Sequence, residues 1–272
     1  MKIHYLNCGT MHPRGASLFV AWLDRSPAIC ILLETGDRLV LVDAGFGTRD
    51  MEDLSRLGRG ANLILNPQPD PEQPAVRQIA RLGFDPGSVT DIICTHLDRD
   101  HAGGLSDFPQ ARVHVLKDER DAVLKPVSPR EKERYRSCHF THGPRWVTYE
   151  GVSGEKWFGM DCVSQLEEIP PGVVLVPLPG HTRGHAGVAV STKAGWVLHC
   201  GDAYYVQEEL RASGRVPLGV RAFRRFAHMD ISLAMRSLDW LRRFSREHES
   251  RVKLIASHDQ FAYRSIFGKP LD

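Results

Sequence analysis

The sequence predicts an α/β protein of two β-rich halves that face each other, with helices outside. Three observations carry this prediction. An apolar hairpin at residues 29–45 has a counterpart at residues 188–203, and each ends near an aspartate, Asp43 and Asp202. A helical stretch follows in each half. Each half then closes with a short apolar run into a hydroxyl residue and a histidine, Thr95-His96 in one and Ser257-His258 in the other. This is the mark of an internal duplication. The 272 residues allow one large domain or two small ones, with a sizeable core. A site shared between the halves favours a single domain over residues 1–272.

Along the chain, residues 1–8 lack the apolar core of a signal peptide, and no apolar run is long enough to span a bilayer. A cytoplasmic location is expected. The six cysteines include no Cys-x-x-Cys pair and read as reduced core residues. Residues 29–35 and 39–45 read as strands around Gly36-Asp37. Asp43, between an apolar run and a small-residue turn, has a capping or turn role as its ordinary reading and a place in a site as the other. Residues 46–74 are polar, with Gly58, Gly60, Pro67, Pro69, Pro71 and Pro74, and read as a surface loop or flap. In residues 74–83, Val76, Ile79, Ala80 and Leu82 recur at near-helical spacing before Gly83. A strand runs into His96, another covers residues 112–116, and the charged residues 117–125 read as a helix.

Residues 126–172 read as a long irregular insertion. Tyr135, His139, Phe140, His142, Trp146, Tyr149, Trp157 and Phe158 stand there among prolines and glycines. Loops of this length in compact domains serve as lids or binding loops, and a lid-like segment is expected here. The competing reading is an insertion packed by its own aromatics. The strand pattern then returns at residues 173–178, 188–191 and 196–203. Ile231, Leu233, Ala234, Leu238, Leu241 and Phe244 mark an amphipathic helix, and a last strand runs into His258.

The chemistry is concentrated in His96-x-Asp98-x-Asp100-His101, which sets two imidazoles and two carboxylates in six residues at the end of a buried strand. Such a position is held rigidly yet reaches solvent. Imidazole nitrogen and carboxylate oxygen are ligands of zinc and of harder divalent metals. The junction of the halves would collect His96, His185, Asp202 and His258. A net charge of +2 calls for neither nucleic acid nor a membrane surface. Arg211, Arg215, Arg221, Arg224 and Arg225 read as a solvated basic face, or as a rim that holds an anionic group. No Gly-x-Ser-x-Gly elbow competes for a hydrolytic role.

The ordered set Asp43, His96-x-Asp98-x-Asp100-His101, His185, Asp202 and His258 resembles the metallo-β-lactamase superfamily over residues 29–260. The resemblance implies an αββα sandwich of two mixed β-sheets with outer helices and a binuclear metal site between the sheets. It places His96, residue 98 and His185 on one metal and Asp100, His101 and His258 on the other, with Asp202 bridging. Asp43 then orients ligands, and His181 is a turn or supporting residue rather than a ligand. The run Gly201-Asp202-Ala203-Tyr204-Tyr205 is similar to N-acyl homoserine lactone lactonases, in which a tyrosine three residues after the bridging aspartate contacts the lactone. Tyr205 matches that spacing, and Tyr204 is its competitor.

The expectation is therefore a hydrolase in which a metal-bridging hydroxide opens a small lactone or ester, a quorum-signal lactone being the leading candidate. Asp100, Asp202 and Tyr205 are its expected catalytic residues. Two divalent ions are implied, zinc first. Asp98, where the common pattern has histidine and the flavodiiron branch glutamate, brings in iron or manganese. Three carboxylates and a hydroxide would neutralise two divalent ions, raising the pKa of their water. Phosphodiester or organophosphate hydrolysis and diiron redox chemistry are the alternatives. The expected partner is a small molecule, not nucleic acid or membrane, with room for a homodimer.

Overall fold

The computed structural model describes residues 1–14, 25–36, 38–151, 154–163, 165–211 and 216–271. The first half forms a six-stranded sheet in chain order: β1 (Lys2–Met11), β2 (Ser26–Thr35), β3 (Arg38–Val42), β4 (Val89–Ile93), β5 (Arg112–Leu116) and β6 (Arg145–Tyr149). Strands β1 to β3 pair antiparallel, and β3 to β6 pair parallel. A small hairpin follows, β7 (Glu155–Trp157) with β8 (Met160–Cys162). The second half forms a four-stranded sheet from β9 (Val173–Pro177), β10 (Ala186–Thr192), β11 (Gly195–His199) and β12 (Val252–Ile255), in the order β12-β11-β10-β9. Only its β11–β12 pair is parallel.

The duplication holds down to hydrogen bonds. Hairpin β2–β3 with its parallel neighbour β4 is repeated by hairpin β10–β11 with β12. Asp43 N–H donates to the Ile93 carbonyl at 3.0 Å, and Cys200 N–H donates to the Ile255 carbonyl at 2.7 Å.

Burial explains the unbroken apolar strands. Side chains alternate across a strand. In β2, Ile29, Ile31 and Leu33 face the second sheet and join Leu175, Val188 and Val190 in the core between the sheets. Cys30 and Leu32 face outward, toward Ala75 and Ile79 of α3 (Ala75–Arg81) and Ala122 of α5 (Lys117–Leu124). The outer face of the second sheet is covered by Leu238, Leu241 and Phe244 of α8 (Ile231–Glu247). Four layers result, helix, sheet, sheet and helix, and strands covered on both faces need no polar alternation.

Two stretches are more regular than their composition suggests. Residues 46–74 contain α1 (Thr48–Glu52) and α2 (Arg59–Leu65), separated at Gly58, whose φ of 88° a side chain would resist. Residues 126–172 contain α6 (Pro129–Arg134), strand β6 and the β7–β8 hairpin, so most of the expected lid is scaffold. Trp157 packs at 5.2 Å from Phe244 and 5.5 Å from Trp196, outside the second sheet. Trp146 packs on Phe140 behind the first. Neither tryptophan lines the cavity that opens beside Asp202 and His258. Among the described residues, no helix is long and apolar enough to cross a membrane.

Candidate metal centre

Strand ends build the site. β4 stops at Ile93, and Thr95, His96 and Asp98 lead into the single turn of α4 (Arg99–Ala102), which carries Asp100 and His101. The end of β3 grips this turn. Ala44 N–H donates to the His101 carbonyl at 2.7 Å, and Gly104 N–H to the Gly45 carbonyl at 2.9 Å. A Cβ at Gly104 would lie 2.4 Å from the Ala44 oxygen, so the approach requires glycine. Asp43 has a left-handed backbone, φ 55°, which turns its carboxylate back toward the motif. That carboxylate accepts from Thr95 N–H at 2.7 Å, from the Thr95 hydroxyl at 2.8 Å and from His101 Nδ1 at 2.9 Å. Asp43 orients the site's side chains from behind.

The second half supplies the opposite wall. The β9–β10 loop carries His181 and His185, the end of β11 carries Asp202, and the end of β12 carries His258. Glu119, fully buried on α5, joins both halves. It accepts from Leu97 N–H at 2.9 Å, Gly184 N–H at 3.1 Å and the Tyr135 hydroxyl at 3.0 Å. Nothing in the charged run around Glu119 signalled this role in the sequence.

The imidazoles share one orientation, with Nδ1 held from outside and Nε2 aimed inward. Thr95 holds His96 at 2.9 Å, Asp43 holds His101, and the Pro27 carbonyl holds His258 at 2.6 Å. Such outer partners fix the tautomer of a ligating histidine. Inside, His96 Nε2, His101 Nε2 and Asp202 Oδ1 are buried without a hydrogen-bond partner. Asp202 Oδ1 lies 3.3 Å from both His101 Nε2 and His258 Nε2, and its Oδ2 lies 3.4 Å from His181 Nε2. Asp98 Oδ2 is 3.4 Å from His96 Nε2, and Asp100 Oδ2 is 3.3 Å from His258 Nε2. Donors ~2.1 Å from a tetrahedral ion stand ~3.4 Å apart, so these spacings and orphaned atoms fit divalent metal ions. Three groups meet the requirement: His96, His101 and Asp202; His96, Asp98 and His181; Asp100, His101 and His258.

Charge holds the cluster together. Burial pushes the His258 imidazole down, but the Asp202 and Asp100 carboxylates outweigh it and carry it to about 10. Burial likewise works against Asp202, and the charges of His258 and His101 nonetheless hold its carboxyl well below the usual range.

Two sequence expectations meet a different geometry. His185 is buried beside the cluster, but its Nδ1 faces the Leu178 carbonyl at 2.9 Å and its Nε2 accepts from Asp202 N–H at 3.0 Å. Asp98 is not a free carboxylate. Arg134, the last residue of α6, donates through Nε to its Oδ1 at 2.6 Å and through Nη2 to its Oδ2. Burial raises the Asp98 carboxyl, and Arg134 more than reverses this, leaving it well below the ordinary range. The expected surplus of negative charge is therefore corrected. The Arg134 cation cancels Asp98, and the site carries the charge it would have with a neutral histidine at that position.

Above the cluster lies a cavity of about 710 Å³, floored by Asp98, Asp100, His181, Asp202, His258 and Tyr205. Its walls are largely apolar. Ile64 and Leu65 come from α2, and Val220, Phe223 and Phe226 from α7 (Leu218–Ala227). The residue 46–74 stretch thus forms one wall, while the expected lid segment contributes Arg130, Glu133 and Arg134. Tyr205 separates from its competitor: its hydroxyl lies 3.2 Å from His181 Nδ1 at the cavity floor. Tyr204 is fully buried in the outer core of the second sheet. Of the arginines read as a basic face, Arg211, Arg221 and Arg225 are exposed, Arg224 is buried against Glu209 at 2.5 Å, and Arg215 lies outside the described residues.

Known proteins agree with this architecture. The sequence profile of the metallo-beta-lactamase superfamily matches residues 23–247. A probable metallo-hydrolase of Mycobacterium tuberculosis is 40% identical over 264 residues, 97% of this chain and 82% of its own. An N-acyl homoserine lactonase of Bacillus thuringiensis is 29% identical over 218 residues, 79% of this chain and 75% of its own. Among solved structures, an N-acyl homoserine lactone hydrolase with N-hexanoyl-L-homoserine bound at its catalytic metal centre superposes with a TM-score of 0.71 at 26% identity, covering 99% of this chain and 98% of that one.

Proposed function

The chain belongs to the metallo-β-lactamase superfamily and is a metallohydrolase of it, and from that premise we propose that it opens a small lactone or ester, an N-acyl homoserine lactone first. The observation that carries the reading is the apolar cavity standing directly on the imidazole–carboxylate cluster. An acyl tail suits such walls, and its carbonyl would rest on the polar floor. The likeness to lactonases over nearly the whole chain supports the same substrate class.

His96, Asp98, Asp100, His101, Asp202 and His258 would hold two divalent ions, together with one imidazole of the His181–His185 loop; zinc suits this donor set. When bound, the ions supply Lewis acidity and make water acidic enough to attack near neutral pH. The chain's own groups do the rest. Asp202 faces both groups of donors and fixes their separation. Asp100 and His258 hold each other on the cavity side. Burial, with the Asp202 charge beside it, raises the Tyr205 hydroxyl well above its ordinary value, so it keeps its proton and donates to the oxygen that gains charge. The acyl carbon–oxygen bond breaks, water's hydroxyl goes to the acyl carbon, and the departing oxygen takes the proton. The buried thiols of Cys8, Cys30, Cys94 and Cys200 fit a cytoplasmic setting.

The test is a panel of acyl homoserine lactones, aryl esters and phosphodiesters with the zinc-reconstituted protein. Lactone or ester turnover should rise about fourfold in kcat/KM for each methylene the cavity buries, at ~0.8 kcal/mol apiece, and Phe223→Ala should flatten that slope. Turnover of phosphodiesters alone would overturn the reading.

A further inference from the structure

We propose that His181, rather than His185, supplies the second imidazole of the first metal position, beside His96. The inference rests on the binuclear reading above and departs from the ligand pattern of the family. Three observations carry it.

The first is the division of Asp202. A bridging carboxylate presents one oxygen to each ion. Oδ1 faces His101 and His258, each at 3.3 Å, and Oδ2 faces His181 at 3.4 Å. The imidazole on the Oδ2 side is thus His181, and its Nε2 also lies 3.1 Å from Asp98 Oδ2. His96, Asp98 and His181 bring one donor atom each within 4.8 Å of one another.

The second is orientation. His181 shares the arrangement of His96, His101 and His258. Its Nδ1 is held from outside, by His228 Nδ1 at 3.1 Å and the Tyr205 hydroxyl at 3.2 Å, while Nε2 points inward. Arg134 Nη2 reaches that same Nε2 at 2.5 Å, a contact that needs an unprotonated nitrogen with its lone pair directed into the cluster. An ion taking the lone pair leaves Arg134 its bonds to Asp98 and to the Ala227 carbonyl.

The third is His185, whose Nε2 meets the backbone of Asp202 rather than a side chain of the cluster. Accepting the Asp202 N–H at Nε2 leaves Nδ1 to donate to Leu178. A Cβ at Gly201 would lie 2.6 Å from His185 Nε2, so the glycine is what allows this contact. His185 is a positioning residue for the Asp202 backbone. The chain gives up an imidazole at position 98 and recovers one from position 181, and Asp98, clamped by Arg134, fills the remaining corner.

Cobalt(II) reads this without turnover. In the cobalt-loaded protein each ligating histidine gives one exchangeable, hyperfine-shifted ring N–H proton signal. Signals are expected for His96, His101, His181 and His258, with one showing a cross-relaxation contact to the Tyr205 ring. His181→Asn should remove that signal and weaken the first ion by more than the roughly 100-fold that losing an orienting partner costs. His185→Asn should keep every signal and weaken binding by no more than that. Loss of a signal in His185→Asn with none lost in His181→Asn overturns the inference. If His181→Asn does not fold, the wild-type spectrum decides alone: a shifted signal in contact with Leu178 and none in contact with Tyr205 is the opposing result. Wild-type protein that takes up no cobalt overturns the metallohydrolase reading itself, a separate outcome.

Discussion

Replacing Arg134 by methionine removes the buried partner of Asp98. The pair is 13% exposed on each side and is joined through both carboxylate oxygens. Breaking such a pair from one side costs about 3–5 kcal/mol, because the remaining charge is left buried and unpaired. At roughly 2 °C per kcal/mol for a chain of this size, metal-free Arg134→Met should melt about 6–10 °C below wild type. Asp98→Asn should cost a similar amount. The double variant should cost less than the sum, with a coupling of about 2–3 kcal/mol, measured by chemical denaturation of all four proteins without metal. The charge count adds a second arm. Asp98→His alone sets an imidazole against an unpaired guanidinium and should bind metal worse than wild type. Asp98→His with Arg134→Met should regain binding. Additivity within about 0.5 kcal/mol, or full metal content in Asp98→His alone, would refute the reasoning.

Other outcomes follow from the same geometry. Asp202→Ala should lose both ions on dialysis and with them all turnover, read by elemental analysis; two retained ions would show that it bridges nothing. Trp157→Ala should cost about 3–5 kcal/mol of stability by emptying a site packed on Phe244 and Trp196, and leave KM unchanged. A shifted KM would put Trp157 at the cavity after all. His228 is pulled down to about 4, first by burial. Its folded value lies below the ordinary ~6.5, so its neutral form contributes stability above that pH. The contribution is lost as pH falls from about 6.5 through 4, up to ~3 kcal/mol, and His228→Gln should flatten this acid limb in denaturation measured between those values. An unchanged limb would mean another group sets it.

Much of this was legible because it is local. Strands covered on both faces announce themselves as apolar runs, and His96, Asp98, Asp100 and His101 fall within one turn after such a run. The duplication was legible because both halves repeat the same hairpin and closing strand. What the sequence hid is set by distance or by mixed composition. Arg134 meets Asp98 across 36 positions, and nothing near either residue marks the pair. β1 is broken by His4, Asn7 and Thr10, whose polar groups find partners only after folding, Asn7 on Thr10 and on Ala28 N–H. α7 was concealed by its arginines, although its other face supplies Val220 and Phe223 to the cavity. The aromatics of residues 126–172 suggested a lid because apolar bulk in an irregular stretch does not say which side of a sheet it will cover.

The cluster sits where the two sheets are already tied together. Ile29 N–H reaches across to the Ser257 carbonyl at 3.0 Å, and Ala186 N–H to the Thr95 carbonyl at 2.9 Å. An ion held by Asp100 and His101 from one sheet and by Asp202 and His258 from the other would be a crosslink at that same end. At the far ends of the strands the layers are joined by side-chain packing and by partly exposed polar ties, Met1 N–H to the Ser191 carbonyl at 3.4 Å and Glu168 to Arg38 and Arg112. The sandwich should therefore come apart like a clasped book, splaying first along that more exposed margin, with the clasp released last. Amide protons beside Asp43, Thr95, Asp202 and Ser257 would then be the slowest to exchange, and chelation would make them ordinary. The chemistry of the site and the order of unfolding are set by the same few atoms.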